Sequence, residues 1–289
     1  MKRSTLLMLV LMNVLWAGTY AGTKDLMQHA PYFLVTSTRY LVAVVPLLLI
    51  TYARGGLGIT LGDFGRCVVI GVSTFTLCPL LMYTGVSMGR SSDAAILTSA
   101  EPLLVSLGAY LYLREKVGRR TAVALLIAFG GAITLSEFWR TGGAINPLSV
   151  FLIAGGVFFE AIFSVLGKEL LYRNPPLKIV TYALLSGSLV NGIALSFLGF
   201  WPKLGALTSV DWFVLVVYLS LICTVGGYTW WYIALREDTT SKVAITIFIQ
   251  PVVGILVSWA WVGERPTWSQ GGDPLGRRAR VDPAASRAG

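Results

Sequence analysis

The strongest constraint on this chain is a series of long apolar stretches that carry almost no charge and are separated by short connections. A bilayer core takes about 20 apolar residues per helix, and in hydrocarbon a helix satisfies all of its backbone hydrogen bonds internally. The hydropathy pattern predicts nine spans: 5–22, 33–52, 67–88, 93–113, 120–138, 148–168, 178–200, 211–233 and 242–262. The connections carry Gly, Pro or charge, as in Arg54-Gly-Gly, Gly62-Asp, Thr141-Gly-Gly, Asn174-Pro-Pro and Trp201-Pro-Lys, and none is long enough for a soluble domain. Lys2 and Arg3 before the run Leu6–Leu15 resemble the start of a cleaved signal. That run continues through Trp16 to Gly22 without a small-x-small cleavage site, so it reads as the first membrane helix.

Composition agrees. Hydrophobic residues make up 55% of the 289 and charged residues 13%, against roughly 25% charged in an average soluble domain. The net charge of +9 does not point to nucleic acid, because the cations flank apolar runs, where membrane proteins keep them. With the N-terminus inside, the inner segments collect 13 Lys and Arg. The outer loops before the ninth span collect five, namely Lys24, Arg39, Arg90, Arg140 and Lys203. The expected location is the bacterial inner membrane, multi-pass, with a cytoplasmic N-terminus. Three cysteines and one histidine, His29 in an outer loop, offer no metal set, and no cofactor is expected. Cys67 and Cys78 lie 11 residues apart in one expected helix, about 16 Å by the helical rise, too far for a disulfide.

The chain also repeats itself. At a constant offset of 149, Tyr83 meets Tyr232, Ser92 meets Ser241, Pro102 meets Pro251 and Glu115 meets Glu264. At offset 144, Lys24-Asp25 meets Lys168-Glu169 and Pro31 meets Pro175. Five helices per half is an odd number, so the second half would enter the membrane upside down. This is the inverted-repeat logic of secondary transporters, whose substrate site lies near the midplane between the halves. The expected fold is all-α and integral to the membrane, with a first repeat over 5–138 and a second over 148–270.

Trp16-Ala-Gly with Lys24 and its echo at Lys168, the block Glu101-Pro102 … Glu115, and its partner Gln250-Pro251 … Gly263-Glu264 together resemble the EamA-domain exporters of the drug/metabolite transporter superfamily over residues 5–270. The resemblance implies ten helices, both termini cytoplasmic, and a central cavity lined by helices of each half. The chain departs from that pattern after Gln270. Where a Gly-rich apolar tenth helix would mirror Thr121–Phe138, residues 271–289 carry Arg277, Arg278, Arg280 and Arg287. This segment is expected to be disordered, and to reflect an altered reading frame or a truncation; a genuine nine-helix protein is the alternative.

Ionisable groups inside a bilayer are costly and mark function by default. Glu101 and Glu160 both fall near the middle of an expected span, where a carboxyl can carry a proton or pair with a cationic solute. The plainer alternative is a protonated Glu bonded to a neighbouring helix. Gln250 holds the position of Glu101 in the second half and cannot titrate, so its amide would contact a polar solute. Pro102 and Pro251 each remove a backbone donor and favour a kink, and are expected as paired hinges. Asn13 and Trp16 are candidates for the cavity wall, with a helix–helix hydrogen bond as the other reading of Asn13. Tyr83, Tyr232 and Trp230 are either cavity-lining or interfacial anchors. Gly18-xxx-Gly22 and Gly85-xxx-Gly89 are close-packing signals.

No phosphate-binding loop or catalytic triad is present, so no enzymatic activity is expected. The expected function is secondary transport of amino acids, other small metabolites or drugs by alternating access, with proton coupling. The expected partners are a small-molecule substrate, the lipid bilayer and a second copy as a homodimer, with no nucleic acid. The runner-up is a truncated remnant or membrane interaction protein that transports nothing.

Overall fold

The computed structural model describes residues 2–27, 29–88, 97–135 and 146–257, and these are helical, with no strand among them. The helices are α1 (Arg3–Leu26), α2 (Tyr32–Ala53), α3 (Leu61–Met88), α4 (Glu101–Leu111), α5 (Arg119–Leu135), α6 (Pro147–Leu170), α7 (Pro176–Phe197) and α8 (Ser209–Glu237). A ninth, α9, runs through three consecutive segments, Thr240–Ala244, Ile245–Phe248 and Ile249–Val257. Five of them, α2, α3, α6, α7 and α8, are long and apolar enough to cross a membrane, with 22 to 29 residues and mean hydropathies of 1.5 to 2.1. Between 39% and 56% of the apolar 18-residue stretch of each is buried; many outward-facing side chains on these helices are apolar, such as Leu49, Phe151 and Phe197. That two-sided apolarity suits lipid and not water.

Several expected features lie outside the described residues: the start of the fourth span, the ends of the fifth and ninth, Glu264, Arg90, Arg140 and the segment 271–289. Within them, one boundary moves. Gly62-Asp is not a loop but the first turn of α3, because the Thr60 hydroxyl accepts the Asp63 N–H at 3.2 Å and caps the helix six residues earlier than hydropathy suggested.

Two helices leave α geometry at related places. In α3, Ser73–Leu77 is a π-helical turn, and the Cys78 N–H reaches back to Ser73 O. In α8, Val214–Gly226 is π-helical, and the Gly227 N–H reaches Ile222 O. At the offset of 149 residues both π stretches end at the same register, Leu77 against Gly226. The helices carrying the paired prolines are interrupted just before them. The N–H groups of Leu103 and Leu104 both converge on Ala100 O, at 3.0 and 3.1 Å, where α4 begins. In α9 a 3₁₀ segment, Ile245–Phe248, precedes the helical segment holding Pro251.

The two halves interleave. The first-half helix α1 packs on α8 and α9, α2 on α7 and α8, α3 on α6 and α7, and α4 on α6 and α9. Small residues set the distances. A Cβ on Gly71 would lie 1.9 Å from Ala183 O, and one on Gly85 would lie 2.9 Å from Ser149 O, so no larger side chain fits where α3 crosses α7 or α6. Gly18 receives the Tyr218 hydroxyl in the same way.

One face of the bundle is held by polar groups that tie helix ends together. Arg66 pairs with Glu169 at 2.5 Å and Arg173 with Asp63 at 3.0 Å. Tyr112 donates to Glu169 at 2.7 Å. Lys168, at the end of α6, donates to the terminal carbonyls of α8, Leu235 O and Asp238 O. Glu115 accepts the Thr240 N–H at 2.7 Å and its hydroxyl at 3.1 Å, capping the start of α9. On the opposite face His29 meets Asp211 at 3.2 Å.

Candidate functional site

A cavity of about 140 Å³ lies where α1, α2, α3, α4, α6, α8 and α9 converge. Its walls come from the C-terminal halves of α1 and α3 and the N-terminal half of α2, so it occupies the part of the bundle away from the ion-paired face. The helices that build it are those with the irregular turns. The π turn of α3 is followed at once by Cys78 and Pro79, and the interruption before α4 brings Glu101 to its first turn, and all three residues line the cavity. Helix N-termini favour negative charge, and buried irregular backbone beside a cavity is how discontinuous membrane helices build solute sites.

Glu101 and Glu160 both line this cavity and interact with each other electrostatically. Cys78 lines the cavity with them. Gln250 lines the same space, and its amide donates to Asn13 Oδ1 at 2.9 Å. Asn13 itself is fully buried and does not reach the cavity. Its amide donates to Leu9 O at 2.8 Å and to Thr246 Oγ1 at 3.1 Å, so it ties α1 to α9 and holds Gln250. Of the two readings open from sequence, the helix–helix bond is the one observed.

Aromatic rings make up much of the remaining wall. Trp16 lines it and donates its indole N–H to Cys223 O at 2.8 Å; in a regular α-helix that carbonyl would accept the Gly227 N–H, which the π stretch sends to Ile222 instead. Trp16 also meets Tyr228 and Trp231 at ring-centre distances of 5.3 and 5.8 Å. Tyr83 lines the cavity with its ring stacked on Tyr32. Its repeat partner Tyr232 does not. Tyr232 is fully buried, stacks on Phe163 at 4.3 Å and donates to Phe163 O at 2.9 Å, which makes it part of the core. Trp230 packs against that core, and its neighbour Trp231 takes the cavity position, donating to Ser164 Oγ at 3.0 Å. Adjacent residues point about 100° apart on a helix, and the π stretch before them shifts the phase of any helical wheel drawn across α8.

Arg39 corrects the sequence reading most. Counted there among outer-loop cations, it lies inside α2, is 8% exposed and lines the cavity. Its Nε donates to Thr224 Oγ1 at 3.1 Å, and its guanidinium carbon sits 5.0 Å from the Tyr40 ring centre. The signal was present, since Arg39 falls seven residues into an apolar run, the criterion that singled out the two glutamates. Tyr32, Tyr40 and Tyr228, also missed, carried no such mark, because aromatic residues are ordinary in apolar helices.

The site therefore sets two carboxyl groups, one guanidinium and a carboxamide in an enclosure with seven aromatic side chains, reached from both halves. It can hold a small polar organic solute and exchange charge with it.

Comparison with known proteins gives the same picture. Residues 3–136 and 147–271 each match the EamA-like transporter family. A Bacillus subtilis protein, the uncharacterized transporter YetK, is 28% identical over 81% of this chain and 72% of its own length. An uncharacterized transporter of Archaeoglobus fulgidus is 23% identical over 92% of each chain. A Salmonella typhimurium protein described as a probable amino-acid metabolite efflux pump is 23% identical over 93% of this chain and 91% of its own. A solved crystal structure shares the fold at a TM-score of 0.77 and 16% identity, covering 93% of this chain and 92% of that one. With the family pattern matched once in each half, this chain belongs to the EamA-like transporter family and is a multi-pass membrane transporter.

Proposed function

We propose that this chain exports small metabolites across the bacterial inner membrane by alternating access of two inverted repeats, with amino acids the first class to test. The observation that carries this reading is the convergence of Glu101 and Glu160, one from each half, in a single cavity enclosed by helices of both. Two carboxyl groups in one low-dielectric space resist ionising together, so the pair is suited to taking up a proton and exchanging it for a cationic or ammonium-bearing solute. The interruptions ahead of Pro102 and Pro251 supply flexible points at related places in the two halves. The amino-acid class is suggested by the described role of the Salmonella relative.

The N-terminus is cytoplasmic in this reading. Removing Arg39, which α2 buries, from the outer tally sharpens the inside bias of Lys and Arg. The ion-paired face is then cytoplasmic and closed, and the cavity belongs to the periplasmic half. Loading from the cytoplasmic side requires the contacts of Arg66, Arg173, Lys168 and Glu115 to separate.

The test is export and resistance profiling in cells over-expressing the parent, Glu101→Gln and Glu160→Gln, at matched membrane levels. The expected result is efflux that depends on the pH gradient in the parent and falls about tenfold or more in each variant. If neither substitution changes any flux that the parent supports, the carboxylate mechanism is wrong. If the parent supports no flux above background for any solute, the chain is a non-transporting protein.

A further inference from the structure

We infer that Arg39 anchors the anionic group of the transported solute, so that the site selects carboxylate-bearing molecules over amines of the same shape. The inference rests on the reading of the central cavity as the transport site.

A guanidinium within the apolar belt needs a counter-charge or a function. Among the described residues no carboxylate forms an ion pair with Arg39. Asp63, Glu169, Asp211, Glu237 and Asp238 each have partners at the two faces of the bundle. Glu160 feels the charge of Arg39 across the cavity that both line, but neither it nor Glu101 is among the carboxylates ion-paired in the described residues.

The side chain is nonetheless held firmly. The Thr224 hydroxyl donates its one proton to Leu219 O at 2.8 Å, so towards Arg39 it acts only as an acceptor, and the Arg39 Nε N–H fills that role at 3.1 Å. The Tyr40 ring lies beneath the guanidinium. With Nε committed and the plane supported, the two Nη groups remain for whatever enters the cavity that Arg39 lines. That is the preorganised fork which matches a carboxylate with two parallel hydrogen bonds.

The charge pattern narrows the class further. Glu101 and Glu160 share the enclosure with Arg39, so a dianion such as a phosphate monoester brings two negative charges to one cation and also faces whatever negative charge the carboxyl pair carries. A single carboxylate does not carry that excess, and a zwitterion places its ammonium towards the glutamates while its carboxylate meets Arg39. Trp16, Tyr228 and Trp231 surround the space left for an apolar side chain.

The experiment is transport by the purified full chain in proteoliposomes. L-Leucine and L-phenylalanine are each compared with the amine lacking the carboxylate, isoamylamine and phenethylamine. The parent is expected to favour the amino acid by at least about tenfold in kcat/KM, the scale of a charge-assisted hydrogen bond lost. Arg39→Gln is expected to bring that ratio close to one, by raising KM for the amino acid and leaving the amine little changed. Arg39→Lys, which keeps the charge and loses the fork, is expected to retain only part of the preference. A merely structural arginine would depress both members of each pair equally. If Arg39→Gln does not yield folded protein, Arg39→Lys and Thr224→Val, which removes the acceptor holding Nε, carry the same comparison. A parent that moves amines as well as amino acids, or variants that keep the parent's ratio, overturn the inference and leave the transport reading standing. A parent that moves neither member of either pair defeats both.

Discussion

Replacing Gly71 with alanine adds one methyl group at the crossing of α3 and α7, and the structure says how badly it fits. The new Cβ would lie 1.9 Å from the backbone oxygen of Ala183 and 2.2 Å from Ser186 Oγ. Ordinary contact begins near 3.4 Å, so the two helices must part by more than an ångström or unwind locally. Ser186 can rotate away, but Ala183 O cannot, because it belongs to helix backbone. Overpacking of this kind costs about 1–3 kcal/mol where side chains absorb it, and backbone against backbone sits at or above the upper end. Separation of α3 from α7 would also loosen the Asn191 bond to Phe75 O, 2.8 Å long. At about 2–4 °C per kcal/mol for a chain of this size, the expected fall in Tm is about 6–12 °C. The assay is thermal unfolding of purified protein in detergent, read by size-exclusion chromatography. Gly130→Ala is the control, since nothing lies within 4 Å of its added Cβ, and it should leave Tm unchanged or raise it. The double substitution Gly71→Ala with Ser186→Ala removes the side-chain clash and keeps the backbone clash. A Gly71→Ala protein that melts within about 1 °C of the parent, or full rescue by Ser186→Ala, would refute the reasoning.

Three further outcomes are expected. Asn13→Leu removes the bonds to Thr246 and Gln250 that join α1 to α9. Interhelical hydrogen bonds in membranes average about 0.6 kcal/mol each, so stability should fall by about 1–2 kcal/mol on detergent melting, while Gln250, freed to turn, should raise KM in transport assays. Trp231→Phe, which deletes the N–H held by Ser164 and opens the cavity wall, should lower flux several-fold, whereas Trp230→Phe should stay within about twofold of the parent; equal effects would contradict the assignment of Trp231 to the wall. Glu115→Ala removes the acceptor that caps α9 at Thr240 and should cost about 1 kcal/mol, seen as a lower Tm with KM unchanged.

The sequence alone determined that this chain lives in lipid, roughly where its long apolar helices run, and which landmarks recur between its two halves. The reason is that hydrocarbon leaves the backbone few alternatives, so length and hydropathy read almost directly as helices α2, α3, α6, α7 and α8. Repeat landmarks were legible for a related reason. A proline or a charge inside an apolar run is costly enough to stand out, and Pro102, Pro251, Glu101 and Glu160 fall at structural breaks or on the cavity wall. Arg39 met the same standard, although a charge tally assigned it to a loop. What only the tertiary structure decided was which way each helix faces. In water an apolar stripe every 3.6 residues points to the core, but here lipid and core are equally apolar and the stripe carries no direction. The π stretches in α3 and α8 break the regular helical phase again, and it is Trp231 and not Trp230 that reaches the cavity, while Tyr83 and Tyr232, matched in sequence, part company. Bonds between residues more than 200 positions apart, Asn13 with Gln250 and Trp16 with Cys223, form only when α1 is laid against α8 and α9, and no local pattern in the chain encodes that choice of neighbour.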